Sequence, residues 1–262
     1  PRHTLDVDDN MKSVCVDTMA PQVLTVTFAS SNESSDPDYP SSYLSMEDDT
    51  VTLSLTTDER VENVEVKING YSYSATDDGG GTSWTVEHMV TSGEDVESVE
   101  FEITSFSDSS GNALVSSETH TTDDSGYSVV VDTTAPEVSG ITFSSSNGSS
   151  DPDYSDSYLA MEGDTVTLSI TTDERVEDVE VVINDTSYSA DDDGDGTSWT
   201  VEHTVSSGED VESVEFEITS FSDPSGNALS SLETHTSDDS GYSVVVDTTA
   251  PEVSGITFSS SN

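Results

Sequence analysis

The feature that most constrains this chain is an internal repeat with a period of 115 residues. Residues 128–147 read SVVVDTTAPEVSGITFSSSN, and residues 243–262 read the same, letter for letter. One further period toward the amino terminus sets VDTMAP (16–21) under VDTTAP (131–136). The chain therefore parses into two full copies, 17–131 and 132–246, which differ at 24 of 115 positions. Residues 247–262 repeat the opening of a copy and are expected to supply the first strand of a following repeat. Residues 1–16 align loosely with the close of one: SVCV (13–16) stands where SVVV stands elsewhere, which predicts the last strand of a preceding, divergent repeat. A slice of a longer tandem array is the expectation. In such arrays each unit packs chiefly against its neighbours.

Each copy is long enough for one core. Apolar residues make up only 31% of the chain, a sparseness that with high charge often marks disorder. Their placement argues against it. TVTLSIT (165–171), VEVVI (179–183), SWTVEHTV (198–205), SVEFEIT (213–219) and YSVVV (242–246) alternate apolar and polar residues, the mark of strands with one buried face. Turn-forming stretches separate them: DDDGDGT (191–197), SSGED (206–210) and SDPSGN (222–227). With GITF (140–143), about seven short strands result. The expected fold is all-β: tandem seven-stranded antiparallel immunoglobulin-like β-sandwiches arranged head to tail. Val166, Leu168, Ile170, Val179, Val181, Trp199, Val201, Val214, Phe216, Ile218, Val244 and Val246 would form the core of the second copy.

Three ordered motifs, VDTTAP at the seam, EGDTVTLSITTDERV (162–176) and FSDPSGNAL (221–229), resemble the tandem bacterial-type immunoglobulin-like, or cadherin-like, repeats of giant extracellular surface and adhesin proteins. The resemblance covers both copies and the flanking pieces. It implies an extracellular or cell-surface location and a role as stalk or adhesin, and names no ligand. The seam itself is short. Pro136 fixes its φ and donates no hydrogen bond, so VDTTAP is expected to permit little swivel.

Fifty-five Asp and Glu against five Lys and Arg give a formal net charge of −50. Nucleic acid and anionic membrane are thereby excluded as partners of this segment, since both are bound through basic residues. The expected partners are neighbouring repeats of the same chain and other copies of the filament. Outward carboxylates sharpen the problem: Asp178 and Glu180 would face Glu215 and Glu217 across two adjacent strands, a destabilising arrangement. High salt would screen such charges, and divalent cations would bridge them. Either a solvated face suited to a salty habitat or specific Ca²⁺ binding accounts for the composition. For the second, the loops expected near the seam nominate Asp132, Asp173, Glu174 and Asp223, matched one period earlier by Asp17, Asp58, Glu59 and Asp108. In cadherin-like arrays, by resemblance, junction calcium stiffens the rod. The competing role for Asp132 and Asp223 is capping of turns.

Other motifs are weaker. DDDGDGTSWTVE (191–202) matches the spacing of an EF-hand loop through Asp191, Asp193, Asp195, Gly196 and Glu202, but strands rather than helices flank it, and the first copy lacks two of the acids. A Gly- and Asp-rich turn is the plainer reading. Arg60 and Arg175 recur at one position and are expected to neutralise the acids beside them. His88 and His203 are expected as exposed strand residues, and Cys15 as a strand residue where valine stands in the other copies. No nucleophile elbow, zinc spacing or phosphate loop occurs, so no enzymatic activity is expected. Asn32, Asn147 and Asn184 open N-x-S/T sequons, candidate glycosylation sites in polar loops.

Two functions follow. The first is structural: a repeat segment, shaft or spacer, of a long extracellular filament, stalk or surface adhesin, stiffened by divalent cations at its junctions. The second is recognition, in which the sandwiches bind a glycan or protein directly. Near-identity of consecutive copies favours the shaft. Tyr39, Tyr43, Tyr154 and Tyr158 are the aromatics that would line a binding surface.

Overall fold

Alternation of apolar and polar residues fixes which face of each strand turns inward. Along Thr50–Thr57, Val51, Leu53 and Leu55 are buried while the threonines and serine between them are not. In the computed structural model, which describes residues 3–7, 13–34, 36–149 and 151–260, the chain divides into two compact units. One comprises Pro1–Thr134 with Pro224–Asn227, the other Ala135–Asp223 with Ala228–Asn262.

In the first unit, Val23–Ser30, Thr50–Thr57, Ser83–Met89 and Thr76–Asp77 form one antiparallel sheet in that order. Glu118–His120, Phe101–Asp108, Val61–Ile68 and Tyr71–Ser74 form another. Their apolar faces enclose one core containing Phe28, Leu53, Leu55, Val66, Ile68, Trp84, Phe101 and Phe106. Phe28 of one sheet stacks on Phe101 of the other, ring centroids 4.1 Å apart. A face-to-face pair of sheets with a shared interior is the sandwich architecture the alternation predicts. The second unit repeats it with Phe143 against Phe216 at 4.3 Å. All twelve predicted core positions, from Val166 to Val246, lie in its core.

The strands are more numerous than the expected seven, and one pairing is not antiparallel. Ser42–Ser45 runs parallel to the last strand, Ser128–Val131, and Ser157–Ala160 does the same with Ser243–Val246. Those two short segments carry too few alternating positions to declare themselves in sequence.

The predicted facing of carboxylates does not occur. Glu180 stands opposite Ser220 and Glu217 opposite Val182, because the register of the two strands staggers the acids; the strand is also bulged near Asp178, whose φ is 55°. Asn63 makes the same bulge in the first unit, φ 56°. There Glu102 meets Lys67 and bonds to it at 2.9 Å. The register is the same on either side of each bulge, so the pairing of the acids is set by the strands as a whole. Acid thus meets serine, valine or lysine rather than acid.

The flanking pieces behave differently from each other. Ser13–Val16 is a strand and pairs antiparallel with His3–Val7; the five residues joining them lie outside the described residues. Residues 247–260 form no strand, and Val253, Ile256 and Phe258 are exposed. The same letters at Val138–Ser145 are a strand, paired with Thr165–Thr172. The partner, not the segment, decides.

The Gly-rich turns contain one crowded point. Gly81 and Gly196 have φ of +72° and +71°, and an added Cβ would lie 2.7 Å from Arg60 Cγ and 2.8 Å from an Arg175 terminal nitrogen, respectively. Arg60 and Arg175 therefore lie across the following hairpin turn. Gly196→Ala is expected to cost about 1–2 kcal/mol from backbone conformation alone, and more from the arginine contact. Gly148→Ala, where nothing lies within 4 Å and φ is not positive, should be near neutral. Paired chemical denaturation of the two variants checks this.

Candidate functional site

The residues around the seam are drawn together by hydrogen bonds to side-chain oxygens. At the carboxyl end of the first unit, Asp95 Oδ1 accepts from Thr133 N at 2.6 Å and from its hydroxyl at 2.7 Å. Its other oxygen accepts from the Thr134 hydroxyl at 3.0 Å, and Gly93 N donates to Thr133 Oγ1. The two threonines of the seam are thus buckled onto the loop 91–95. Asp210 holds Thr248 and Thr249 in the same way, at 2.6, 2.9 and 3.0 Å. Nothing in the spacing, 38 residues, advertises this contact. The signal that would have found it is the recurrence of Asp with Thr-Thr in both copies.

At the other end of the first unit stand Asp17, Asp58, Glu59 and Asp108. Three of them gather: Asp17, Glu59 and Asp108 each offer a carboxylate oxygen, all within 4.8 Å of one another. Asp132, Glu174 and Asp223 are their counterparts one period later in the sequence. Asp58 and Asp173 point elsewhere. Asp58 Oδ1 accepts from Gln22 N at 2.8 Å while Asp58 N donates to Gln22 O, and Asp173 does the same with Glu137. These two are braces for the chain entering the unit rather than members of the cluster.

Asp108 is the buried member, 5% exposed. Its Oδ1 accepts from Ser110 N and Asn112 N, and its Oδ2 from the Asn112 side chain at 2.8 Å. The same Asn112 nitrogen donates to Asp17 O at 3.2 Å. The Asn112 amide, with the Asn112 and Ser110 N–H groups, holds the Asp108 carboxyl below the usual carboxylate range. Turn capping and cluster membership therefore coexist in one residue. The cluster's span suits a cation: calcium binds oxygens at roughly 2.3–2.6 Å, so oxygens on opposite sides of one ion lie about 5 Å apart. Three carboxylates make a partial set for an ion that takes about six to eight ligands, with carbonyls and water to complete it.

The loop in EF-hand register is a hairpin turn. Asp192, outside that register, accepts from Gly194 N and Gly196 N, Asp193 from the Thr200 hydroxyl, and Asp195 from Thr197 N. Asp192, Asp193 and Asp195 are thereby engaged in closing the turn.

The histidines correct an expectation. His88 and His203 are buried, 6% and 5% exposed, because they share the inward parity of Trp84 and Val86, and of Trp199 and Val201. His88 Nδ1 bonds the Tyr73 hydroxyl at 2.6 Å and Nε2 bonds Glu94 at 2.9 Å; the Tyr188–His203–Glu209 set matches it at 2.7 and 3.2 Å. Burial, then the Glu94 charge, pushes the Tyr73 phenol up. These are satisfied polar links that fix the loop carrying Asp95.

The sequons differ in surroundings. Asn32 and Asn147 donate side-chain N–H to Asp49 at 3.0 Å and Asp164 at 2.8 Å. Asn184 sits in a two-residue hairpin turn with φ 43°, its Oδ1 accepting from Glu215 N. Tyr43 and Tyr158 each pack against a second tyrosine, and Tyr154 borders a hollow of about 190 Å³ with Leu159 and Met161.

No protein-family model and no curated protein matches the chain. Among solved structures it is similar to the fibronectin(III)-like modules of Clostridium thermocellum CbhA, 12% identical, TM-score 0.32, over 89% of this chain and 100% of that one. It is also similar to the I9–I11 tandem of titin, 12% identical, TM-score 0.30, over 85% and 66% of the two chains. Rst D1–D2 gives 11% identity, TM-score 0.34, and coverage of 86% and 100%. Likeness at these scores carries no argument of its own; the strand pairing above carries the fold.

The buckle predicts an acid response. The Thr133 N–H, with the Thr133 and Thr134 hydroxyls, holds Asp95 below its ordinary value, and the Thr248 and Thr249 groups do so for Asp210. A carboxyl lowered on folding stabilises the fold above its unfolded value, about 4, and the contribution drains as pH falls through the lowered value. Thermal midpoints should therefore fall steeply below about pH 4. The variant D95N/D210N should start lower at neutral pH and fall less steeply, as scanning calorimetry from pH 7 downward would reveal.

Proposed function

We propose that this chain is a structural repeat segment, the shaft or spacer of a long extracellular filament, stalk or surface adhesin. The observation that carries the reading is duplication of the attachment as well as the domain: each copy buckles the Thr-Thr of its outgoing seam through its own aspartate. A module selected for reach needs every exit held alike, whereas a binding tip needs it once. Location at the cell surface or beyond rests on the resemblance of the seam and strand motifs. No described helix is long and apolar enough to cross a membrane. Partners on this reading are neighbouring repeats and other copies of the filament. Asn32, Asn147 and Asn184 are its glycan acceptors, Asn184 being the most open in its hydrogen bonding.

Calcium at the junctions is part of the proposal. It is supported by the grouping of Asp17, Glu59 and Asp108 within a span that fits one ion, with Asp132, Glu174 and Asp223 as their counterparts one period later. Asp58 and Asp173 contribute indirectly, by bracing the chain beside the cluster. Direct recognition of glycan or protein has less support. Tyr43 and Tyr158 are committed to partner rings, and the hollow beside Tyr154, about 190 Å³, is smaller than ligand pockets of roughly 300–1,000 Å³.

Thermal unfolding of the chain in dilute NaCl, with calcium and then with chelator, tests the cation. An ion at 100 times its dissociation constant adds about 2.7 kcal/mol per site. Calcium should raise the midpoint more than magnesium, and Asp17→Asn with Asp132→Asn should remove the gain. An equal rise in molar NaCl alone would assign the acids to salt adaptation and overturn the calcium sites.

A further inference from the structure

Each unit holds two tyrosine rings in contact where its last strand begins. Tyr43 lies against Tyr127 and Tyr158 against Tyr242, with ring centroids 5.3 Å apart in both and planes tilted by 32° and 34°. That is the separation of touching aromatic rings. Tyr127 and Tyr242 are 38% and 37% exposed, while Tyr43 and Tyr158 are half-buried against the cores.

The backbone holds the pairs in place. Tyr43 belongs to Ser42–Ser45, which runs parallel to Ser128–Val131 with Ser42 opposite Ser128, and the two serine hydroxyls bond at 2.7 Å. Tyr127 immediately precedes that strand, and its N–H donates to Asp123 Oδ1 at 3.0 Å. Ser157, Ser243 and Asp238 repeat each of these ties in the second unit. Two phenols distant in sequence are thus fixed at contact on a solvent-reachable edge. The other tyrosine ring contacts among the described residues, those of Tyr71, Tyr73 and Tyr188, are with histidine.

We propose that Tyr43–Tyr127 and Tyr158–Tyr242 are dityrosine cross-linking sites, closed by a one-electron oxidant of the peroxidase and hydrogen peroxide class. Each phenol loses one electron and its proton to become a phenoxyl radical. The two radicals join through a ring carbon beside each oxygen, forming one C–C bond. Those two carbons then release their hydrogens, which return to the phenol oxygens. Overall two C–H bonds break and one C–C bond forms. Two protons and two electrons leave, and one hydrogen peroxide takes them to become two waters. The product is a covalent staple between the segment Ser42–Ser45 and the start of the last strand, and it turns the chain between the linked tyrosines into a closed loop. The inference stands independently of the shaft reading, because it rests on ring placement within each unit.

The test treats the whole chain, dilute enough that molecules rarely collide, with peroxidase and hydrogen peroxide. The expected product is a monomer with dityrosine fluorescence and two hydrogens lost per link. Digestion should release linked peptides joining Tyr43 to Tyr127 and Tyr158 to Tyr242. Y43F should remove one link and leave the other, Y43F/Y158F should remove both, and the linked monomer should unfold at a higher temperature than the untreated chain. Fluorescence confined to covalent dimers, linked peptides through Tyr39, Tyr71 or Tyr154, or undiminished monomer product in the double variant would each overturn the sites. The peptide map of the unsubstituted chain decides the matter even where a variant folds poorly.

Discussion

The structure depends on one interaction repeated many times: an aspartate carboxylate accepting a backbone N–H. Asp58 takes Gln22, Asp77 takes Gly79 and Gly81, Asp95 takes Thr133, and Asp108 takes Ser110 and Asn112. Asp123 takes Ser125 and Tyr127, and Asp124 takes Val26. A charged acceptor makes a shorter and stronger bond than a neutral one, and every such bond closes a turn or ties a loop to a strand. The pair Asp123–Asp124 goes further. With Asp124 N donating to Val26 O at 3.1 Å, it lies along the free edge of Val23–Ser30 and supplies part of what a neighbouring strand would. An edge covered in this way is withdrawn from pairing with other chains.

This recasts the charge of −50. The acids are neither one undifferentiated solvated face nor one metal-binding array. Some are structural acceptors, some gather as Asp17, Glu59 and Asp108 do, and some, such as Glu87 and Glu202, alternate outward along strands. Repulsion among those on the sandwich faces is limited by the strand register, which sets Glu102 opposite Lys67, Glu217 opposite Val182 and Glu180 opposite Ser220.

The fold was legible in the alternation, since burial of one face is a local statement that each strand carries by itself. The inward parity of His88 was equally legible and was masked by residue type: a polar ring among acids reads as exposed until its place after Trp84 and Val86 is counted. What sequence did not disclose are relations between distant residues. The buckle joins residues 38 apart, and the division of labour between Asp58 and its neighbour Glu59 turns on which way each side chain leaves the same loop. The plainest limit is VSGITFSS itself, a strand at Val138–Ser145 and unpaired at residues 253–260.

The buckle has an evolutionary corollary. Strap and catch, Thr133–Thr134 and Asp95, lie within one period of each other, and Thr248–Thr249 with Asp210 repeat them, whereas the first seam reads Thr18–Met19. An in-register exchange between copies whose seams read Thr-Thr, wherever its breakpoint falls, reunites a catch with a strap of the same letters. Copies are then gained or lost without any joint being remodelled, so length becomes a trait that recombination can tune while the geometry of each exit stays fixed.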